Sequence, residues 1–169
     1  MVFGMSKTLR RRFLREKEAR HLLTDFSQKV GTEAEGLFGS KPKVEMTEIA
    51  DMEIFMINGK ALLAKSKNIL FPTLTFEGLL PLLPRVVVDM GAVPHVCKGA
   101  DIMAPGVVQV IGSFKERDFL LIVDERHGKP LAVGVALHDS ETFQGLTRGK
   151  VAKNIHYVGD ELWKLLKQI

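Results

Sequence analysis

The stretch Val88–Gly106 decides the fold of this chain and reads V-D-M-G-A-V-P-H-V-C-K-G-A-D-I-M-A-P-G. Asp89 can cap the first free amides of a short helix, since a carboxylate at that position accepts their hydrogen bonds. Gly99 stands where the end of a helix needs a left-handed residue. The stretch therefore predicts a helix of about two turns, closed at both ends by its own residues.

The rest of this stretch predicts a tight turn after the helix. Pro94 is tolerated only in the first helical turn, so we expect the helix to begin at Gly91 or Ala92. The residues A-P-G at 104–106 then turn the chain into the apolar run Val107–Ile111. Small residues at such a turn let another backbone or a ligand come close.

Two motifs in this stretch resemble the PUA domain, a small β-barrel named after pseudouridine synthases and archaeosine transglycosylases. They are D-x-G-A from Asp89 and G-A-D-x-x-A-P-G from Gly99. N-G-K-A-L-L from Asn58, P-T-L from Pro72 and I-H-Y-x-x-D-x-L-W from Ile155 extend the likeness. In this order they resemble the malignant T-cell-amplified sequence family of translation proteins and the related part of ligatin. The resemblance covers residues 43–166 and is weaker before them.

The resemblance implies a non-catalytic RNA-binding protein that acts in translation and needs no cofactor. The implied partners are structured RNA, either rRNA or tRNA, and the small ribosomal subunit, during initiation, reinitiation or recycling. Eukaryotic relatives pair with density-regulated protein, so an initiation-factor-like protein is a further implied partner. Two alternatives stay open: an RNA-recognition accessory module for a tRNA or rRNA modifying enzyme, and a protein-interaction adaptor that uses the apolar hairpin and residues 71–83.

Length and composition predict two small domains. The chain has 169 residues, of which 46% are hydrophobic and 26% charged, so it can build a core. We predict an α+β domain over residues 1–83 and a mostly-β, PUA-like pseudobarrel with short helices over residues 84–169. Pro81 and Pro84 mark the boundary.

The first domain is predicted to begin with a strand and a helix. Residues 8–14 favour a strand, because on one continuous helix Leu9 and Phe13 would point away from the later apolar face. We expect the helix over residues 16–29, closed by Gly31. Its inner face is Ala19, Leu22, Leu23 and Phe26.

Alternating apolar residues then predict strands near residues 44–47 and 51–57. Asn58-Gly59 predicts a hairpin that pairs Asp51–Ile57 with Lys60–Lys65. We expect Phe71-Pro72 to break this sheet and Thr75–Leu83 to form a short apolar helix. In the second domain we expect three strands and a C-terminal helix, at Val107–Ile111, Phe119–Asp124, Leu131–Leu137 and Asp160–Ile169.

Residue types give no support for an enzyme or a metal site. The five histidines lie far apart in the sequence, and no H-E-x-x-H, phosphate-binding loop or cysteine pair occurs. Cys97 is interpreted as a small packed residue rather than a nucleophile, and a single cysteine suits a reducing cytosol. No apolar run approaches the roughly 20 residues of a membrane span. The basic residues after a short apolar tip do not resemble a secretory signal, and Met1 and Met5 both fit as the natural start.

Basic residues suggest where RNA would bind. The first 29 residues carry eight Lys/Arg against three acidic residues, although the net charge of the whole chain is only +4. Clustered arginines favour phosphate, but they can equally form a solvated face or dock an acidic protein. Likewise, the small residues after Lys98 can expose backbone to RNA or simply close the barrel. The candidate RNA-binding residues are Lys98, Gly99, Ala100, Asp101, Ala104, Pro105, Gly106, Arg148, Lys150, Lys153, Arg10, Arg11 and Arg12. His156 and Tyr157 are expected to pack against Trp163 rather than stack on bases.

Overall fold

A computed structural model describes residues 10–169, which fold into two compact units. The first unit ends at Phe76 and the second runs from Glu77 to Ile169. Residues 77–83 therefore group with the second unit, and the domain boundary after residue 83 stays a prediction. The two candidate start methionines and the beginning of the predicted first strand lie outside the described residues.

The first unit combines two helices with a five-stranded antiparallel sheet whose strand order follows the chain. Its elements are β1 (Arg10–Phe13), α1 (Glu16–Val30), α2 (Ala34–Phe38), β2 (Val44–Ile49), β3 (Met52–Ile57), β4 (Lys60–Ser66) and β5 (Ile69–Pro72).

The predicted strand and helix at the front of this unit are confirmed. α1 ends at Gly31, whose φ of 71° is left-handed, as a helix end of this kind requires. Its inner face is buried, apart from the half-buried Leu22. The rings of Phe26, Phe38 and Phe76 meet in the core, with centroids 5.6 to 6.5 Å apart. Aromatic packing of this kind buries large apolar areas and stabilises the unit.

The Asn58-Gly59 hairpin is also confirmed. Both residues have positive φ, 52° and 84°, which is the geometry that a two-residue turn between twisted strands requires. The Asn58 side chain also holds the preceding loop, because its Oδ1 accepts from the Lys43 N–H and its Nδ2 donates to the Phe38 carbonyl. Asn58 therefore forms part of the turn and also holds the preceding loop in place through its side chain.

Two predictions for residues 71–83 are wrong. Phe71-Pro72 ends an edge strand, β5, which pairs with β4 instead of breaking the sheet before it. The helix expected over Thr75–Leu83 is absent, and only Leu80–Leu82 form a single 3-10 turn. Pro81 lacks an amide donor, and the Thr73 hydroxyl ties this segment to the Ala61 carbonyl at 2.8 Å. The predicted α+β composition of this part of the chain is thus confirmed only in part.

The adaptor surface suggested for residues 71–83 does not exist as an exposed patch. Its apolar side chains are mostly buried, although Pro81 and Leu82 are exposed and Leu74 is half-buried. The buried ones are Phe71, Phe76, Leu79, Leu80 and Leu83.

The second unit is a curled six-stranded sheet with short helices, in the order β7-β11-β10-β9-β6-β8. Only the β6–β9 pair is parallel among the strand pairs described. The elements are β6 (Arg85–Val88), α3 (Val93–Val96), β7 (Ile102–Met103), β8 (Val107–Ile111), β9 (Phe119–Asp124), β10 (Pro130–Ala136), α4 (Ser140–Gly145), β11 (Lys150–Tyr157) and α5 (Glu161–Leu166).

The three strands predicted for this unit are confirmed, and the predicted C-terminal helix is present but shorter. The Asp160 carboxylate caps α5 by accepting from the Trp163 N–H at 2.7 Å. Inside the sheet, a continuous apolar core includes Val86, Leu120 and Ile122, all fully buried. This core supports the loops that follow β6 and β9.

The turn after β9 depends on one carboxylate. Asp124 is buried, and its two oxygens accept from the His127 and Lys129 N–H groups at 2.5 and 3.0 Å. The backbone bond from His127 is the largest influence on this carboxyl, and the bonds from the turn lower its pKa although burial opposes them.

Replacing Asp124 by Ala is expected to destabilise the protein at pH 7, because the turn amides lose their acceptor. The pKa of Asp124 is lower in the folded chain than in the unfolded chain. The stabilisation that Asp124 contributes is therefore fully present above the pKa that this group has in the unfolded chain. It disappears as the pH falls through the lower pKa of the folded chain. Urea unfolding of both proteins from pH 7 to pH 2 checks this: the stability gap should close at the acid end, and a gap independent of pH would contradict it.

Candidate nucleic-acid interface

α3 begins and ends largely as its sequence predicts. The Ala92 N–H donates to the Asp89 carboxylate at 2.8 Å, and Gly99 has a left-handed φ of 95°. Pro94 is the second helical residue, where a missing amide costs little. The helix nevertheless starts at Val93 and has one turn instead of two. The reason is that the Ala92 amide also donates to the Asp89 carbonyl, which makes a turn out of the residues before the helix.

The chain after α3 runs alongside β11. β7 pairs with this strand, so that Ile102 lies opposite Ala152 and Met103 opposite Lys150. The Ala104 N–H then donates to the Gly149 carbonyl at 2.8 Å. The segment Lys98–Gly106, called the binding loop below, is therefore supported by the last strand of the sheet, where the PUA resemblance implies it.

Two polar side chains fasten the binding loop to β11. Asn154 Nδ2 donates to the carbonyls of Val96 at 3.0 Å and Ala100 at 3.1 Å. The Asn154 N–H in turn donates to one Asp101 oxygen at 3.0 Å, and Lys150 Nζ lies 3.2 Å from the other. Asp101 thus joins the loop to the strand.

Asn154 was not among the candidate residues from sequence, where it stood out only as the neighbour of Lys153. Its partners lie more than fifty positions earlier in the chain. A single asparagine in a strand gives no local signal of such bonds. These bonds can be recognised only once the pairing of β7 with β11 is known.

A third contact places the Tyr157 ring on Gly99. A Cβ at Gly99 would lie 3.0 Å from the tyrosine ring and hydroxyl. His156 is fully buried and its Nδ1 lies 2.8 Å from an Asp160 oxygen, which excludes it from stacking on bases. Burial of Asp160 acts to raise the pKa of its carboxyl group. The hydrogen bond and charge of His156, together with two backbone N–H groups, outweigh burial and lower this pKa below its usual value. The contacts found for His156 and Tyr157 are thus with Asp160 and Gly99, whereas their expected packing against Trp163 stays a prediction.

The binding loop is partly exposed and lies beside the cationic side chains of β11 and the residues before it. Lys98, Ala100 and Pro105 are exposed, whereas Ala104 is buried and Gly99, Asp101 and Gly106 are half-buried. Nearby, Arg148, Lys150 and Lys153 are exposed on and before β11. Within residues 10–169, Lys98, Arg148 and Lys153 form no ion pair, so their charges are available to a ligand.

A groove of about 400 Å³ lies between α3 and the binding loop. Apolar side chains, among them Val96, Ile102 and Met103, form much of its lining, and His95 and Asp101 contribute polar groups. Met103 is 44% exposed at its edge. A base or sugar could enter such a groove beside the exposed loop backbone.

Comparison with known proteins identifies the fold. Residues 84–158 match the family model described as the PUA domain. A crystal structure described as a PUA domain from Aeropyrum pernix, in a tartrate complex, superposes with a TM-score of 0.76 and 30% identity, covering 95% of this chain and 92% of that one. The chain belongs to the PUA-domain family.

Relatives of this PUA-domain protein occur in archaea and eukaryotes. An uncharacterized protein of Methanocaldococcus jannaschii is 40% identical over 126 residues, covering 73% of this chain and 76% of its own. Translation machinery-associated protein 20 of Saccharomyces cerevisiae is 27% identical, covering 75% of each chain. Malignant T-cell-amplified sequence 2 of mouse is 31% identical, covering 68% of this chain and 66% of its own. The resemblance inferred from the motifs is thereby confirmed.

Two of the three candidate arginines near the start of the chain, Arg11 and Arg12, form ion pairs with acidic side chains. Arg11 pairs with Glu45 at 2.8 Å, and Arg12 pairs with Glu18 at 3.2 Å. The hydrogen bond with Glu18 is the main reason that the pKa of Arg12 is raised, and the same bond lowers the pKa of Glu18. Arg10 is exposed and has no ion pair within the described part of the chain. A role for Arg10, Arg11 and Arg12 in RNA binding stays a prediction, and phosphate would have to compete with two carboxylates.

Metal-binding clusters and membrane-spanning helices are not found among the described residues. Between residues 10 and 169, no three His, Cys, Asp or Glu side chains lie close enough together to hold a metal ion. No described helix is long and apolar enough to cross a membrane. Cys97 is half-buried against the core, and burial raises the pKa of its thiol, which makes it a poor nucleophile.

Replacing Gly99 by Ala is expected to lower stability by about 1–3 kcal/mol. The left-handed backbone disfavours any side chain, and the new Cβ would press on the Tyr157 ring. Chemical unfolding measures the loss. The matched control is Gly128→Ala, whose φ is 63° and whose Cβ would meet nothing within 4 Å. Equal losses at the two positions would show that contact with Tyr157 does not matter.

Proposed function

We propose that this protein is a non-catalytic RNA-binding protein of translation that holds structured RNA, rRNA or tRNA, against the binding loop and β11. The observation that carries the proposal is the fastening of the loop by Asp101 and Asn154, which presents Lys98 and small residues in a fixed arrangement. Membership of the PUA-domain family and a relative named translation machinery-associated protein 20 support the same conclusion.

The chemistry of the loop suits folded RNA. The minor groove of an RNA duplex is wide and shallow and displays 2′-hydroxyls, so it is read by backbone and shape more than by long side chains. Ala100, Pro105 and Gly106 leave the loop backbone open to such a surface. Lys98, Arg148 and Lys153 supply the charge that phosphate contacts require.

We further propose that the protein binds this RNA on the small ribosomal subunit, during the loading or release of tRNA. Sedimentation of the tagged protein with purified small subunits, over a series of salt concentrations, tests this. The bound fraction should fall steeply as salt rises, because each neutralised phosphate releases counterions. Binding to free tRNA or rRNA with no association with subunits would remove the ribosomal role and keep the RNA-binding one. Failure to bind any RNA at low salt would refute the proposal.

The other two roles lack a specific observation in their favour. A module for a tRNA or rRNA modifying enzyme would need the same RNA surface, so capture of such an enzyme, rather than subunits, would distinguish it. An adaptor for an initiation-factor-like protein remains a prediction without a surface, because the side chains expected to form it are buried.

A further inference from the structure

We propose that the turn Glu125–Lys129 between β9 and β10, called the β9–β10 turn below, is a second phosphate-contacting element of the interface. Its Arg126 and Lys129 would hold the RNA backbone on the side of the binding loop away from Arg148. The proposal rests on the proposed function, since it assigns further residues to the same RNA site.

Hydrogen bonds place this turn beside the segment that carries the binding loop. The Glu125 N–H donates to the Val88 carbonyl at 3.0 Å, and the Met90 N–H donates to the Glu125 carboxylate at 3.1 Å. The next bond in this series runs from the Asp89 N–H to the Gly106 carbonyl at 2.9 Å. The turn therefore borders the residues before α3, and Asp89 in that segment is bonded in turn to the last residue of the binding loop.

Strand directions place Lys98 at the same end of the sheet. β6 runs parallel to β9, so Val88 lies opposite Asp124 where the turn begins. β11 runs antiparallel to β10, which puts Tyr157 opposite Ala132 just after the turn. Because the Tyr157 ring lies on Gly99, the adjacent Lys98 also belongs to this end. Lys150 begins β11 at its other end, seven residues or roughly 23 Å from Tyr157 along the strand, and Arg148 precedes that end.

Hydrogen bonds hold the backbone of the turn in place, and its two cationic side chains are available to a ligand. The oxygens of Asp124 are bound to backbone N–H groups of the turn, at His127 and Lys129. Arg126 and Lys129 are exposed, and neither makes an ion pair within residues 10–169. A fixed backbone lowers the entropy that its side chains lose on binding a ligand.

The chemistry of the turn favours a polyanion. An arginine guanidinium matches a phosphate with two parallel hydrogen bonds, and a lysine ammonium adds a point charge. All residues of the turn are polar or glycine, and residues 125–129 are exposed, so the turn offers no apolar anchor for a protein partner. Next to a loop that binds RNA, the polyanion is the backbone of the same RNA.

The double variant R126A/K129A tests the proposal, with unfractionated tRNA and small ribosomal subunits as probes. At moderate salt we expect affinity to fall about tenfold or more, and the slope of log affinity against log salt to decrease by about 1.4–1.8, for two lost phosphate contacts. The matched control is K60A/K115A, which also removes two exposed cations without ion pairs in the described chain. It should change affinity less than twofold.

Three outcomes separate this proposal from the proposed function. If the native protein binds no RNA, the proposed function fails. If R126A/K129A matches K60A/K115A while K98E weakens binding, the proposed function stands and the role of the turn is refuted. Loss of a captured protein with unchanged RNA affinity would also refute it. The variant R126Q/K129Q should reproduce the loss with an unchanged melting temperature, which excludes misfolding as the cause.

Discussion

The double variant Lys98→Glu with Arg148→Glu is expected to bind tRNA and small ribosomal subunits about 100-fold more weakly than the native protein. Each reversal removes a phosphate contact and adds a repulsion, and about 1.4 kcal/mol for each is a factor of ten. The salt dependence of binding should become shallower as well. Lys150 is left unchanged in this variant, because its ammonium pairs with Asp101 at 3.2 Å and a glutamate there would push the loop away.

A matched charge reversal separates local contact from general attraction. K60E/K115E changes net charge by the same amount at two exposed lysines outside the binding loop and β11. We expect it to weaken binding only severalfold, through the long-range field of the protein. Filter binding or fluorescence anisotropy at three salt concentrations measures both variants. Equal losses in the two double variants would contradict a localised interface.

Replacing Asn154 by Asp is expected to loosen the binding loop and to produce the second large loss of affinity. The substitution removes the Nδ2 donor, so the carbonyls of Val96 and Ala100 lose their partner and face an anion instead. The unmade bond to the carbonyl of the buried Val96 costs about 1–3 kcal/mol, and a charge next to Asp101 adds to it. The free energy of unfolding should fall accordingly, and RNA affinity should fall at least tenfold because the loop is no longer held in its binding geometry.

Hydrogen exchange shows whether the loop itself is affected. The amides of residues 98–101 should exchange faster in N154D than in the native protein, while those of β9 in the core stay protected. N68D is the matched control, since Asn68 is exposed in the turn between β4 and β5 and its change carries the same charge. Unchanged exchange at 98–101, together with native RNA affinity, would show that Asn154 does not position the loop.

Features of the fold that depend on neighbouring residues were predictable. Gly99 and Gly31 lie in left-handed backbone where the pattern of helix ends required it, and Asn58-Gly59 forms its tight turn. The Asp89 cap follows from the same kind of reasoning. In each case a few adjacent residues determine the conformation, because the hydrogen bonds involved span only two to four positions.

Features that depend on distant pairing could not be predicted in this way. The bond from Asn154 to Val96 joins residues 58 positions apart, and Glu125 reaches Met90 across 35. Neither side chain differs in sequence from an ordinary surface residue. The helix expected over 75–83 is absent for a related reason, since the hydroxyl of Thr75 at its predicted start donates to the distant Ala61 carbonyl.

The density of basic residues along the chain does not show which of their charges are available to a ligand. The densest basic run precedes α1, yet Arg11 and Arg12 are paired with Glu45 and Glu18. Cations of the second unit that form no ion pair within the described residues are more scattered in sequence, and they include Lys98, Arg126, Lys129, Arg148 and Lys153. Whether a charge is available thus depends on partners that the sequence does not display.

Crosslinking of the native protein to small ribosomal subunits by ultraviolet light, followed by identification of the crosslinked peptides, tests the central claim most directly. The account predicts that RNA-linked peptides come from the binding loop and β11, with residues 98–106 and 148–157 represented. It also predicts that these crosslinks weaken in the Lys98→Glu, Arg148→Glu variant. Crosslinks confined to residues 10–15, with none in the loop or β11, would contradict it.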